Sequence, residues 1–150
     1  MSGGGHIAWF DEIGLGDREQ VGGKGGSLGE LQRAGRAVPP GFVVRTGAFE
    51  RFLASLEREA PVRAALAALA PGDLEAITAC SKRLRRRFEE AELPGEVRDA
   101  LYAAHHRLVR GTAEQPVAVR SSATCEDAAD ASFAGLQDTY LWVRGAEQTT

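Results

Sequence analysis

A lysine set among glycines is the first feature of the sequence that could do chemistry. Residues 21–26 place Lys24 among four glycines, directly before apolar residues at helical spacing. Glycine lets backbone N–H groups approach a ligand, and a helix N-terminus favours negative charge, to which the ammonium group adds a full positive charge. The segment is not a Walker A loop, because Arg18 and Gly25 occupy positions that this motif reserves for Gly and Ser or Thr. It indicates a phosphate site, with an ordinary glycine-rich loop and a solvated lysine as the open alternative.

An arginine at the end of a predicted strand is the second feature. Residues 117–119 are Val-Ala-Val, Arg120 follows at once, and hydroxyl groups come next on Ser121, Ser122 and Thr124. A guanidinium at the end of a buried strand requires an anion or several acceptors. Either a bound anion or a salt bridge to Glu126, Asp127 or Asp130 satisfies that need. Farther along, Gly135 allows a close backbone approach and Thr139 offers a hydroxyl contact from the far side of the loop.

The histidines and cysteines give no comparable signal. His105 and His106 are adjacent in a predicted helix and point about 100° apart, so they do not readily share one ligand. We interpret His105 as a packed or half-exposed helix residue. Cys80 and Cys125 form neither a CxxC pair nor a disulfide framework, which fits a reducing compartment. No cluster of His, Cys, Asp and Glu at metal-ligand spacing is visible in the sequence.

Composition and charge narrow the class of protein. The chain has 150 residues, about one domain, and a formal net charge of −3, which gives no general attraction to nucleic acid or anionic membranes. Residues 82–87, KRLRRR, are locally basic; we interpret them as the solvated face of a helix, with an RNA or partner patch as the alternative. No apolar run is long enough for a membrane span and no signal peptide is visible. We expect a cytoplasmic protein, with residues 1–5 as a disordered leader.

The elements that must position these residues follow from periodicity and turn residues. Strands are predicted at residues 7–10, 42–44, 117–120 and 139–143, and a glycine-punctuated loop at 11–20. Helices are predicted at residues 25–34, from Thr46 through Leu56, at 62–69, from a cap at Asp73 through Phe88, and from Val97 through Leu108. Strands at both ends with helices between them predict an α+β unit, in which a helical insertion packs against a small sheet.

Three blocks of this sequence resemble one known family. They are VGGKGGSLGEL (21–31), VPPGFVVRTGAFERFL (38–53) and VAVRSSATCEDAADASFAGLQDTYL (117–141), about a third of the chain. They resemble the N-terminal nucleotide-binding region of the phosphoenolpyruvate synthase and pyruvate phosphate dikinase family, and are closer to phosphoenolpyruvate synthase and rifampicin phosphotransferase. The resemblance implies that residues 6–150 form the first subdomain of an ATP-grasp domain, with ATP in a cleft between it and a second subdomain.

The resemblance also implies roles for individual residues. Lys24 and Arg120 are expected to contact the ATP phosphates, and Gly135 and Thr139 to line the loop over them. Further phosphate-loop contacts are expected from Ser121 and Gln137. Two positions depart from the family pattern: Leu136 stands where many relatives have Gln, and Trp142 stands where they often have Asn.

The family's reaction needs more than this chain. Its members transfer the β-phosphoryl group of ATP to a histidine on a swivelling domain and then to pyruvate or a drug hydroxyl. The resemblance implies that the Mg²⁺ ligands, the remaining ATP-grasp half and the phosphohistidine domain lie outside these residues, in cis or in trans. The 150 residues alone are therefore not expected to be catalytically complete.

Two other classes of function stay open at this stage. One is a stand-alone, non-catalytic module that binds a nucleotide or a partner, to which the apolar stripe Phe49, Phe52 and Leu56 contributes if it is not fully packed. The other is an RNA-binding module that uses the basic segment 82–87, for which steep salt dependence of binding is expected.

Overall fold

The computed structural model describes residues 5–110, 115–124 and 139–147. Its helices and strands are, in chain order, β1 (Ile7–Trp9), α1 (Arg18–Arg33), β2 (Phe42–Val44), α2 (Thr46–Glu59), α3 (Val62–Ala67), α4 (Leu74–Glu90), α5 (Gly95–Leu108), β3 (Val117–Arg120) and β4 (Thr139–Val143). Helices combined with small antiparallel sheets confirm the α+β class. Most of the predicted leader, Gly135 and Gln137 lie outside the described residues.

The chain divides into two compact units. The first unit comprises Met1–Phe49 and Gly95–Thr150, and the second, which we call the helical unit, is Glu50–Pro94. The helical unit contains α3, α4 and most of α2. It holds three of the helices that the sequence predicted between the strands, whereas the fourth, α5, belongs to the first unit.

The described strands form two separate antiparallel pairs, which differs from the single small sheet expected. In one pair Ile7 lies opposite Val44 in β2, and in the other Arg120 lies opposite Thr139 in β4. All four strands are only three to five residues long. The sequence pattern identified each strand correctly but carried no information on which strands share a sheet, because pairing depends on contacts distant in the chain.

Strand β4 contains an irregularity opposite Ala118. Val117 pairs with Val143 and Val119 with Tyr140, so β4 holds one residue more than β3 between these pairs. Such a bulge bends the strand locally, and Trp142 takes a φ of 61° within it. Residues that lie opposite each other in a ladder share a face, so Arg120 and Thr139 lie on one face, on which both are exposed.

The core of the first unit forms where α1 packs close to its neighbours. Ala8, Ile13 and Val21 are buried, and Phe10 and Val43 pack against them. A Cβ atom at Gly25 would lie 2.9 Å from Cγ2 of Val43, so glycine permits this approach despite its low helix propensity. The predicted loop at 11–20 was wrong at its end, because α1 already begins at Arg18. The glycine-rich segment therefore lies within α1 rather than ahead of it.

The helical unit is held by apolar side chains. Its buried cluster consists of Leu56, Val62, Cys80 and Leu84, and the rings of Phe52 and Phe88 meet edge to face with centroids 5.7 Å apart. The predicted cap of α4 is confirmed, since Asp73 Oδ1 accepts a hydrogen bond from the Ala76 N–H at 2.9 Å. Helix α4 also confirms the helical interpretation of residues 82–87. Across the described part of the chain, the helices are too short or too polar to cross a membrane.

Candidate functional site

The break in α1 determines where Lys24 lies. Gly22 has φ 72° and ψ 172°, a conformation outside the helical region that glycine adopts far more readily than other residues. A Cβ atom at Gly22 would overlap the carbonyl group of Ser122. Lys24 therefore lies in the first turn of the helix that continues after the break, directly against the segment that follows β3.

Four hydrogen bonds join the start of this helix to the residues after β3. The Lys24 ammonium donates to the Ser121 carbonyl oxygen at 3.1 Å, and the Gly23 N–H donates to the Ala123 carbonyl oxygen at 3.1 Å. The Ser122 hydroxyl accepts from the Gly25 N–H at 3.0 Å and donates to the Val21 carbonyl oxygen at 2.8 Å. Segments about one hundred residues apart in the chain are thus joined at one point; we call this contact the α1–β3 junction.

The junction changes the interpretation of the glycine-rich segment. The first N–H groups of a helix lack partners within the helix, and the sequence suggested that they would face a phosphate. Two of them, on Gly23 and Gly25, instead donate to Ala123 and Ser122. The glycines here permit backbone contact with the residues after β3, so the charge available to an anion comes from side chains.

Three of the predicted site residues come together at the C-terminal end of β3. Lys24 contacts the carbonyl group of Ser121, the residue directly after Arg120, and Arg120 lies opposite Thr139 in the β3–β4 ladder. Lys24 is half-buried, whereas Arg120 and Thr139 are exposed. Gly135 and Gln137 lie outside the described residues, so their predicted roles stay predictions.

The charge at this end of β3 suits an anionic ligand. Among residues 5–110, 115–124 and 139–147, no carboxylate forms an ion pair with Arg120. The alternative partners Glu126, Asp127 and Asp130 fall outside these ranges. Lys24 contacts the residue directly after Arg120, so two cationic residues belong to the same strand end. Such a pair favours a group with several negative oxygen atoms, since charge-assisted hydrogen bonds are the stronger class.

Ser122 has a role that the sequence interpretation missed. It was considered as a donor to an anion, but its hydroxyl is used within the protein, between Val21 and Gly25. No local pattern signals this, because both partners lie about one hundred residues earlier. Ser121 contributes its carbonyl oxygen to Lys24.

His105 is a packed helix residue, as predicted, and lies in α5. Only 3% of its surface is exposed, and its Nε2 atom has no hydrogen-bond partner among the residues that the structure describes. Burial, with a smaller contribution from the neighbouring charge of His106, lowers the pKa of His105. Over the ranges that the structure describes, no three His, Cys, Asp or Glu residues are grouped to hold a metal ion.

Comparison with known proteins identifies the group to which these features belong. Residues 18–150 match the family described as pyruvate phosphate dikinase, AMP/ATP-binding domain. A probable phosphoenolpyruvate synthase of Methanocaldococcus jannaschii is 47% identical over 143 residues. A phosphoenolpyruvate synthase of Deinococcus radiodurans is 42% identical over 144 residues, and a rifampicin phosphotransferase of a Streptomyces species is 45% identical over 130 residues.

These alignments cover most of this chain and a small part of each relative. They include 94%, 93% and 86% of the chain, but 12%, 18% and 15% of the respective relatives. The chain thus spans less than a fifth of the length of these proteins. The match over residues 18–150 contains Lys24, Arg120 and Thr139, so the residues that meet at the end of β3 lie inside the shared region. The chain belongs to the pyruvate phosphate dikinase AMP/ATP-binding domain family.

Proposed function

We propose that this chain is the ATP-binding portion of a phosphoenolpyruvate synthase-like phosphotransferase and forms the first subdomain of its ATP-grasp domain. Bound ATP supplies the β-phosphoryl group, which passes to a histidine on a swivelling domain and then to pyruvate or a drug hydroxyl; AMP leaves when the histidine is phosphorylated, and water releases the terminal phosphate. The remaining ATP-grasp half, the Mg²⁺ ligands and the phosphohistidine domain belong to other residues, in cis or in trans. The family match and the names of the relatives support the nucleotide part of this proposal.

In this proposal the chain's own residues bind and orient the phosphates. Lys24 and Arg120 neutralise negative charge on the phosphate oxygens, and Thr139 donates from its hydroxyl across the β3–β4 ladder. Gly135 lets the loop backbone approach, and Ser121 and Gln137 add polar contacts. Phosphoryl transfer depends mainly on such positioning and on electrostatic stabilisation.

One observation carries the proposal: Lys24 reaches the end of β3. The ammonium group donates to a carbonyl oxygen 97 residues away, at the residue after Arg120. Because Arg120 is covalently next to the residue that Lys24 contacts, two cationic residues lie at the same strand end. Opposite charges attract, so this strand end suits a polyanionic ligand such as a nucleoside triphosphate.

The test is a titration of the isotope-labelled chain with Mg-ATP, followed by NMR so that weak binding is measurable. The double variant Lys24→Ala/Arg120→Ala is expected to bind at least about tenfold more weakly, since a hydrogen bond to a charged group contributes about 1.5–3 kcal/mol. The control variant Lys82→Ala/Arg98→Ala makes the same change in net charge at two residues outside the α1–β3 junction and is expected to bind like the parent. Absent binding, or equal affinities of the three proteins, would refute the proposal.

A second candidate, a partner-binding module, has one observation in its favour. Three consecutive large side chains of β4 are exposed, namely Tyr140 at 59%, Leu141 at 65% and Trp142 at 74%. Exposed apolar patches mark interaction sites more often than isolated apolar residues do. Light scattering after size exclusion tests self-association: a monomer at every concentration counts against it, and a dimer lost in Leu141→Ser/Trp142→Ser counts in its favour.

A further inference from the structure

Ser122 uses its hydroxyl as donor and acceptor at once. It donates to the Val21 carbonyl oxygen at 2.8 Å and accepts from the Gly25 N–H at 3.0 Å. Val21 precedes the break of α1 at Gly22, and Gly25 follows it. One side chain therefore spans the break and joins the two arms of α1 that meet there.

Lys24 lies between the two residues that Ser122 joins. Its backbone is adjacent to Gly25, whose N–H is held by the hydroxyl, and its ammonium reaches the carbonyl group of Ser121. A rotation of the helix about the break would change the direction of the Lys24 side chain. The Ser122 bridge opposes that rotation, because either hydrogen bond would have to lengthen.

The remaining contacts of the junction do not replace this function. The Gly23 N–H bond to the Ala123 carbonyl oxygen joins backbone to backbone, so it survives the loss of the Ser122 side chain and keeps the segments together. It binds only the residue directly after the break, however, and does not replace the acceptor that the hydroxyl offers to the Gly25 N–H. Loss of the hydroxyl is therefore expected to loosen the direction of Lys24 without unfolding the chain.

We propose that Ser122 is a positioning residue for ATP binding: its hydroxyl bridges the break in α1 and holds Lys24 at the phosphate-binding end of β3. This inference rests on the proposed function, because it gives Ser122 a role that acts through Lys24 on the phosphates. Ser122 itself contacts no phosphate, since its hydroxyl is engaged by Val21 and Gly25.

A double-mutant cycle with Lys24 tests the proposal. In the NMR titration with Mg-ATP, Ser122→Ala is expected to weaken binding about fivefold to tenfold in the parent chain. In the Lys24→Ala background it is expected to change affinity by less than about twofold, because the group that it positions is gone. Adenosine, which lacks phosphates, is expected to bind the parent chain and Ser122→Ala equally.

Two further variants separate positioning from general destabilisation. Ser122→Thr keeps a hydroxyl and is expected to retain most of the affinity. Ser27→Ala removes a serine hydroxyl elsewhere in α1 and is expected to leave affinity unchanged. The amide signal of Gly25 reports on the bridge directly, and its exchange with solvent is expected to quicken in Ser122→Ala but not in Ser27→Ala.

The outcomes distinguish this inference from the proposed function. If the parent chain binds ATP and Lys24→Ala weakens binding while Ser122→Ala does not, only the role of Ser122 is refuted. An equal loss from Ser122→Ala with and without Lys24 also refutes it, because the serine then acts on stability alone. If the parent chain does not bind ATP, or Lys24→Ala binds as the parent does, the proposed function fails and the positioning role fails with it.

Discussion

The α1–β3 junction and the core of the helical unit hold their parts together in opposite ways. At the junction, glycines bring two backbones into contact, and hydrogen bonds from Gly23, Gly25 and Ser122 join them. In the helical unit, buried aliphatic side chains and a pair of phenylalanine rings fill the space between helices. The junction is the part that positions a charged side chain. Hydrogen bonds fix direction, whereas apolar packing is tolerant of direction and depends on volume, so the two regions should respond differently to substitution.

Loss of volume in the helical unit should have the largest effect on stability. Leu56 is 2% exposed and packs with Val62, Cys80 and Leu84. Truncation of a buried leucine leaves a cavity, so Leu56→Ala is expected to lower the free energy of unfolding by about 3–4 kcal/mol. Affinity for ATP should stay unchanged at temperatures where the variant is folded.

Two optical probes distinguish the unfolding of the first unit from that of the helical unit in this experiment. Both tryptophans, Trp9 and Trp142, belong to the first unit, and residues 50–94 contain neither tryptophan nor tyrosine. Far-ultraviolet circular dichroism follows all helices, including those of the helical unit. We expect Leu56→Ala to lower the midpoint of the dichroism transition by more than that of tryptophan fluorescence. Equal shifts by both probes would mean that the two regions unfold as one cooperative unit and would remove the contrast in stability.

The next largest loss of stability is expected when a side chain is added at position 22, in the α1–β3 junction. Gly22→Ala imposes a φ of 72° on a residue with a Cβ atom, and that atom overlaps the Ser122 carbonyl group. A left-handed conformation alone costs about 1–2 kcal/mol, and with the overlap we expect a loss of about 2–3 kcal/mol together with weaker ATP binding. Denaturant unfolding and the ATP titration measure the two effects.

Gly35 provides a control for the backbone conformation. Its φ is 71°, and an added Cβ atom would meet nothing within 4 Å, so Gly35→Ala carries the conformational cost without the overlap. We expect a loss of about 1 kcal/mol and unchanged affinity for ATP. If both alanine variants behaved alike, contact with Ser122 would not be the reason for glycine at position 22.

A smaller loss of stability is expected when an arginine that hydrogen-bonds the C-terminal end of α2 is removed from the helical unit. Arg87 donates to the carbonyl oxygens of Leu56 at 2.9 Å and Ala60 at 3.0 Å, at the C-terminus of α2, where a cation is favourable. Arg87→Ala is expected to cost about 1 kcal/mol. The adjacent Arg86 is exposed and pairs only with Glu90 among the described residues, so Arg86→Ala should cost less than about 0.5 kcal/mol. Thermal unfolding followed by circular dichroism compares the two, and equal losses would assign the effect to charge alone.

The sequence predicted the helical unit better than the junction, for a physical reason. Helical period, the Asp73 cap and the prolines that bound α3 are local signals, so the helices near residues 46–90 were found close to their observed ends. The contact of Gly22 with Ser122 and the Ser122 bridge depend on partners about one hundred residues away. No local pattern contains that information.

The structure adds geometry to the candidate site, whereas the binding roles of its residues stay predictions. Lys24, Arg120 and Thr139 were selected from residue type and position, and the structure brings them to one strand end. The glycines were correctly identified as special, but for close approach to a ligand rather than to Ser122 and Ala123. A glycine-rich segment shows that two groups come close and does not say whether the second group is a phosphate or the protein's own backbone.

The smallest expected effect is a loss of stability of the first unit on acidification. It arises because a buried titratable histidine, His105, lies in α5 of that unit. Burial lowers the pKa of His105 from its ordinary value of 6.5, so the unfolded chain binds a proton more readily than the folded chain. Stability from this group is complete above the unfolded pKa and falls as the pH drops through it, by less than about 1 kcal/mol between about pH 7 and pH 6. Helix α5 contacts β1, and the Arg107 guanidinium lies 4.0 Å from the centre of the Trp9 ring, so tryptophan fluorescence should detect the loss.

His105→Gln is expected to remove this pH dependence, whereas replacement of the exposed His106 by Gln should leave most of it, because burial is the larger cause. A transition that begins in the helical unit on acidification, in the buried cluster of Leu56, Val62, Cys80 and Leu84, would contradict the assignment to His105.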